Sequence, residues 1–313
     1  MAEKILVALG GHTMVRSGQR GTIEEQRDNL ERALPGVAEL IRRGHPLVIT
    51  HGNGPQVGQI LIRAEEARGK AYDLPLHLCV AQSQGEIGYL IQQCLRAMLW
   101  KSGVERAVSV VLTCAVVDPR DARMTSPTKP VGPFYTEEKA PLLRKKGWNV
   151  VEDAHRGYRR VVASPVPLSV PEAEVIRRLF ESGVVVVAAG GGGIPVCVGE
   201  DGEMVGVDAV VDKDLTSSVL ASAIGVDRII DLTAVERVKL DFGSARESDI
   251  PSMTVREAKS YLAQGHFAPG SMGPKIEGAI QFLERGGREV IITLPEKTLA
   301  AFDGKAGTHL YPD

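Results

Sequence analysis

Three lysines stand where a chain could set cations beside an anion. Lys213 lies between Asp212 and Asp214 in GVDAVVDKDL, Lys275 follows Gly273 and Pro274 in GHFAPGSMGPK, and Lys129 sits between Pro127 and Pro130 in SPTKPVGPFY. Three glycine clusters accompany them: LGGHTM with Gly10 and Gly11, THGNGPQVG with Gly52 and Gly54, and AAGGGGIP with Gly191, Gly192 and Gly193. Glycine lets backbone N–H groups approach an anion, and a following helix N-terminus adds a favourable dipole. Lysines over such loops suit phosphoryl transfer, which rests on positioning and charge neutralisation. If the acceptor is itself an anion, no general base has to deprotonate it, and cations and backbone donors carry the work. The bland alternatives are tight turns, a solvated charged turn at Asp212–Asp214 and an exposed loop lysine at Lys129.

Other chemistries lack their residues. GxxxxGK[ST], GxSxG, the His-Arg-Asp catalytic loop and HExxH are all absent. Gly52-x-Gly54-x-x-x-Gly58 is a loosened dinucleotide fingerprint, but LPLHLCVAQSQG, about 20 residues on, has no acidic residue to meet a ribose. Cys79, Cys94, Cys114 and Cys197 lie far apart without CxxC, which points to free thiols in a reducing compartment and to no metal cage. With 37 Lys+Arg against 39 Asp+Glu and only 4% aromatics, nucleic acid is not expected as a partner. No stretch is long and apolar enough for a membrane span, and MAEKILVALGG reads as a first strand rather than a leader.

The elements that must hold these residues alternate. Strands are expected at Lys4–Leu9, Pro46–Thr50, Val108–Thr113, Val184–Ala189, Arg228–Leu232 and Glu289–Leu294, with another apolar strand ending at Asp212. Helices are expected near 23–43 (broken at Pro35-Gly36), 55–68, 83–101, 171–182, 214–224, 254–264 and 274–286. The glycine clusters then fall just after strands, where open α/β sheets bind ligands. Such alternation gives a largely parallel sheet covered by helices on both faces. The proline-rich stretch 118–168 breaks the rhythm and is expected to form a small inserted subdomain or lid. Its basic residues from Arg144 to Arg160 alternate with Glu152 and Asp153 and read as a solvated face. In QSQGEIGY the serine and glutamines are expected to cap and orient a helix.

Taken together, LGG at Leu9, THGNGPQVG, SQGEIGY, PTKPVGPFY, RRVVASP, GGGGIPV, DAVVDKDL, AQGHFAPGSMGPK and GKAGTHLYP resemble, nearly end to end, a carbamate kinase of the amino-acid kinase family. The resemblance implies an α/β fold: an open αβα sandwich with a mainly parallel sheet, a protruding subdomain, a substrate side in the N-terminal part and a nucleotide side over 184–313. It implies a cytoplasmic homodimer that moves a phosphoryl group reversibly between ATP and carbamate, with Mg²⁺, and feeds on carbamoyl phosphate from arginine, agmatine or purine breakdown. Carried over by position, Lys213, Lys275 and Lys129 stabilise the transferred group and Asp212 orients the lysines. Gly10, Gly11, His12, Gly52, Asn53, Gly54 and Ser164 line the acceptor site. Gly191, Gly192, Gly193, Asp214, Met272, Gly273 and Pro274 border the nucleotide. Two positions depart from the family: His12 where it reads Asn, and Ala234 where it reads Asp. Asp231, three residues before Ala234, is not expected to substitute, because an odd offset along a strand points the other way. His51 and His266 are expected to hold loops. Two alternatives stay open: a related kinase with another small carboxylate or phosphate acceptor, and a non-catalytic binder of nucleotide or carbamoyl phosphate.

Overall fold

A computed structural model describes residues 2–16, 18–152 and 157–313; Asp153 and Arg156 of the charged run lie outside the described residues. Eight strands form the main sheet. Its order is Ser252–Thr254, Thr308–Tyr311, Glu289–Thr293, Arg228–Leu232, Ile5–Leu9, Leu47–His51, Val185–Val187 and Val108–Val110. All pairs are parallel except that of Glu289–Thr293 with Thr308–Tyr311. The central strand, ILVAL, is buried throughout because it has a helical layer on each face. Ile5, Val7 and Leu9 face a core built with the helices Ile23–Ala33, Pro35–Arg42 and Leu76–Lys101. Leu6 and Ala8 face the other core, with the helices Ala173–Glu181, Lys213–Ile224, Val255–Ala263 and Met272–Glu284.

Helix boundaries follow local chemistry. Thr22 accepts from Glu25 N–H while the Glu25 carboxylate returns to the Thr22 N–H, so a capping box starts Ile23–Ala33. Pro35 cannot donate to the preceding turn and begins Pro35–Arg42 instead.

Three expectations need correction. The strand beginning at Val108 ends at Val110, and Cys114–Val117 joins a second, four-stranded sheet with Met204–Gly206, Ile194–Val198 and Pro167–Ser169. The apolar run before Asp212 is not a strand: it makes one isolated bridge, Ala209 to Ala163. VDAVV is apolar because the stretch is buried (Ala209, Val210 and Val211), not because it pairs in a sheet. The helix expected from 83 begins at Leu76, behind Pro75, so Ser83 and Gln84 lie well inside it and cap nothing.

Within 118–168, the strands Lys129–Tyr135, Tyr158–Val162 and Asn149–Glu152 form an antiparallel sheet. It carries its own small apolar cluster of Ala140, Leu143 and Val150.

Candidate active site

Parallel strands that stop in register bring their exit loops together. Leu9 lies opposite both Leu232 and His51, so the loops after Ile5–Leu9, Leu47–His51 and Arg228–Leu232 leave the sheet at one edge. Much of the glycine there serves loop against loop. A side chain on Gly191, which has φ +65, would come within 2.0 Å of the Asn53 amide, so only glycine fits. Gly11 differs: nothing lies within 4 Å of where its Cβ would be, so its backbone is open to a ligand. Tight loop packing and open backbone are thus both present, at different glycines. Ala189 holds a left-handed φ of +48, a conformation that costs a non-glycine residue about 1–2 kcal/mol. Its N–H is anchored on Thr113 Oγ1 at 2.9 Å.

The helix Leu76–Lys101 fixes these loops from behind. Gln84 donates to the carbonyls of Thr113 and Gly190 and accepts from Thr113 N–H, and Asn53 donates to Ser83 Oγ at 2.9 Å. The polar residues of QSQGEIGY therefore hold the glycine loops, a role their spacing did not reveal. His51 is wholly buried, with Nδ1 3.0 Å from the Gly52 carbonyl; burial pushes its pKa down to about 4 and keeps the ring neutral. His266, in the loop between Val255–Ala263 and Met272–Glu284, lies 3.2 Å from Asp241 and 3.3 Å from Gln264 Oε1.

The loops enclose a cavity of about 360 Å³. Gly10, Gly11, His12, Gly52, Asn53 and Gly54 line one side of it, and Gly191, Asp214, Gly270 and Ser271 another. Lys129, Lys213 and Lys275 enter from three separate segments. Six residues expected at the site are absent from this wall: Ser164, Gly192, Gly193, Met272, Gly273 and Pro274. The Gly192 carbonyl accepts from Thr216 Oγ1 at 2.8 Å, Gly273 N–H donates to Ala268, and Met272 packs on the core. Gly270 and Ser271, which do line the cavity, were not singled out in the sequence.

Each lysine meets a carboxylate. Lys129 Nζ is 2.7 Å from Asp212, whose other oxygen accepts from the Asp214 N–H and so caps the helix Lys213–Ile224. Lys213 contacts Asp214 and lies 3.3 Å from Asp231. Lys275 lies 2.9 Å from both Asp231 oxygens and 3.3 Å from both of Asp214. Asp212 thus orients Lys129, whereas Lys213 and Lys275 are held by Asp214 and Asp231; the reading that gives Asp212 all the lysines is corrected to that extent. Asp231 was set aside on strand alternation, but the strand ends at Leu232, so Ala234 lies past it and is exposed. The available signal was an aspartate inside the buried run RIIDL, where a carboxylate must find a cation.

Burial shapes the charges. It opposes the ionised form of Asp214, but Lys213 and Lys275 outweigh it and hold that carboxyl well below the usual range. Burial and then the Asp214 charge push Asp231 up. Burial also opposes the Lys275 charge, yet Asp214 and Asp231 overcome it and raise its pKa. The result is a nearly dry ring of two ammoniums and two carboxylates beside open backbone donors, suited to stabilising negative charge that moves between two anions.

The model of the amino acid kinase family matches residues 3–294. The chain is 46% identical over 315 residues to the carbamate kinase of Pyrococcus horikoshii, with all of both chains covered. It is 44% identical to the carbamate kinase-like protein YahI of Escherichia coli, over 99% of each chain. Among solved structures, the carbamate kinase of Giardia lamblia bound to AMP-PNP superposes with a TM-score of 0.93 at 38% identity, covering 100% of this chain and 99% of that one.

Proposed function

The chain belongs to the amino acid kinase family, and from that premise we propose that it is a carbamate kinase, moving a phosphoryl group reversibly between ATP and carbamate. The observation that carries this reading is the arrival of three ammonium groups, from segments far apart in sequence, at one cavity walled by open glycine backbone.

In the forward direction a carbamate oxygen bonds to the γ-phosphorus as the bond to the β–γ bridging oxygen breaks, and its electron pair leaves with ADP. Carbamate is already anionic, so His51, held neutral in the interior, is not needed as a base. Lys213 and Lys275 bear on the transferred group, and Lys129 reaches it from the small sheet. The N–H groups of Gly11 and Gly54 open helices on the cavity wall and have no acceptor within their own first turns, so they are free to donate to the anions. Asp214 and Asp231 keep the two buried ammoniums in place while the cavity is empty. Among the described residues no group of three His, Cys, Asp or Glu could hold a metal ion. That donor set fits Mg²⁺ carried in on nucleotide phosphates and water rather than caged by protein. Bound there, Mg²⁺ would neutralise phosphate charge, with Asp212 and Asp214 the carboxylates on the cavity wall.

We assign the physiological flux to ATP synthesis from carbamoyl phosphate supplied by arginine, agmatine or purine breakdown, and the location to the cytoplasm. A homodimer is supported by the open edge of Val108–Val110 and by the exposed Tyr89, Trp100 and Leu112 on the adjoining helix and loop. Sedimentation should give twice the chain mass.

The deciding experiment supplies carbamoyl phosphate, ADP and Mg²⁺ and measures ATP. ATP formation that scales with enzyme is expected. Nucleotide binding with no turnover would leave a binding protein, and faster ADP release with another small carboxylate than with carbamate would identify a different acceptor.

A further inference from the structure

A second cavity, of about 380 Å³, lies beside the first and shares only Val15 and Pro55 with it. It is built by the start of Ile23–Ala33 and by faces of Gly54–Glu66 and Leu76–Lys101. Three charged side chains line it without an ion pair or hydrogen bond to any described residue: Arg20, Arg63 and Glu86. Neighbouring cations behave otherwise, as Arg27 does with Glu31 and Arg68, just past Gly54–Glu66, does with Glu65. The cavity's other acid, Glu24, is fully exposed, and backbone and Thr22 hydrogen bonds at the helix start hold its pKa down.

Beneath them runs a chain of amides whose direction is fixed. The Gly21 carbonyl accepts from Gln26 Nε2 at 2.9 Å, so Gln26 turns its oxygen toward Gln56, which donates Nε2 to it at 2.8 Å. Gln56 must then present Oε1 at its other end. That oxygen is buried and has no partner among the described residues, on a cavity residue only 2% exposed. A buried carbonyl left unpaired costs about 1–3 kcal/mol, so the wall lacks a donor.

We propose that this cavity binds a small α-amino acid. The ligand carboxylate would meet the Arg20 and Arg63 guanidiniums, and its ammonium the Glu86 carboxylate and Gln56 Oε1. Two unpaired cations, one unpaired anion and an acceptor lacking a donor form the complement of a zwitterion, not of a simple anion. The volume suits a metabolite-sized molecule. The site does not depend on the kinase reading, because neither the lysines nor the glycine loops contribute to it.

Calorimetry on the full chain tests this with glycine, alanine, glutamate, glutamine and lysine, against acetate and methylamine as half-ligands. At least one amino acid should bind more tightly than either half-ligand and bind equally well with AMP-PNP saturating the first cavity. Arg63→Gln should weaken it about tenfold, and Glu86→Gln should weaken the amino acid while leaving acetate unchanged. The proposal is overturned if no amino acid binds, if acetate binds as well, if AMP-PNP displaces the ligand, or if Arg63→Gln changes the oligomeric state instead of the affinity. The last result would make the cavity a seam between two copies.

Discussion

The two neighbouring cavities treat positive charge in opposite ways. In the first, Lys213 and Lys275 are nearly dry, with side chains 11% and 9% exposed, and each meets two carboxylates. In the second, Arg20 and Arg63 are exposed and meet none among the described residues. An ammonium withdrawn from water needs a counter-charge in the resting protein, whereas a guanidinium at the surface is satisfied by solvent. The carboxylates of the first cavity therefore belong to its architecture: they hold the lysines in position before any substrate arrives. The arginines of the second have no such carboxylate among the described residues, and a ligand would supply one.

The sharpest way to break this contrast is to remove a buried cation. Lys213→Ala should lower the rate of ATP formation by about a hundredfold to a thousandfold while nucleotide still binds. It also strips Asp214 and Asp231 of a neighbour, so the mutual repulsion of the two carboxyls should raise the Asp231 pKa further. A full rate in this variant would remove the lysines from the chemistry and leave the cavity an ion-pair network only.

Removing the counter-charge tests the same rule from the other side. Asp231→Asn keeps the shape but, among the described residues, leaves Lys275 with Asp214 as its one remaining carboxylate partner. Breaking a buried pair at one partner costs about 3–5 kcal/mol, and chemical denaturation should show a loss near the lower figure, since Asp214 remains. Unchanged stability would mean that the ammonium is solvated after all.

How legible each cavity was follows from its construction. The first is made of short local signals: a glycine loop after each strand, and lysines fixed by adjacent Pro or Asp. Lys129, Lys213 and Lys275 could therefore be picked out of the sequence. Asp231 was passed over: its place in the buried run RIIDL calls for a cation, but which cations answer it shows only once the helices bearing Lys213 and Lys275 are packed over it. Gly192 and Met272 lie off this cavity's wall, since a motif marks a whole loop while the chain turns only some of its residues toward the cavity. Arg228–Leu232 was legible to the residue. Val108–Thr113 was not, because the strand stops at Val110 and the chain passes on to another sheet from Cys114, which is a tertiary event. The second cavity has no local signature, as Arg20, Gln56, Arg63 and Glu86 meet only when three helices pack.

His309 extends the rule of paired burial to a place outside both cavities. Nδ1 lies 2.6 Å from Glu289 Oε1 and Nε2 2.9 Å from the Ala306 carbonyl. Both neighbours are acceptors, so both nitrogens carry protons and the ring is a buried cation. The hydrogen bond to Glu289 raises its pKa above the ordinary 6.5 even though burial opposes the charge. The folded state thus holds this proton more tightly than the unfolded chain does. Its contribution is complete below pH 6.5 and disappears as pH rises through the raised value. Unfolding measured from mildly acid to mildly alkaline pH should show that decline, and His309→Gln should flatten it at a cost of about 1–2 kcal/mol. A wild-type profile flat across that range would mean that the ring is neutral.

The smallest effect is expected where charge is exposed and alone. Replacing both arginines of the second cavity by glutamine, Arg20→Gln with Arg63→Gln, removes two charges but no ion pair or side-chain hydrogen bond, so the free energy of unfolding should move by less than about 0.5 kcal/mol. ATP formation should be unchanged, because neither residue borders the first cavity. This near-absence of effect is what separates a site waiting for a ligand from one that builds the fold. If the double variant lost as much stability as Asp231→Asn, the two arginines would be structural, and the two cavities would differ only in how much water reaches them.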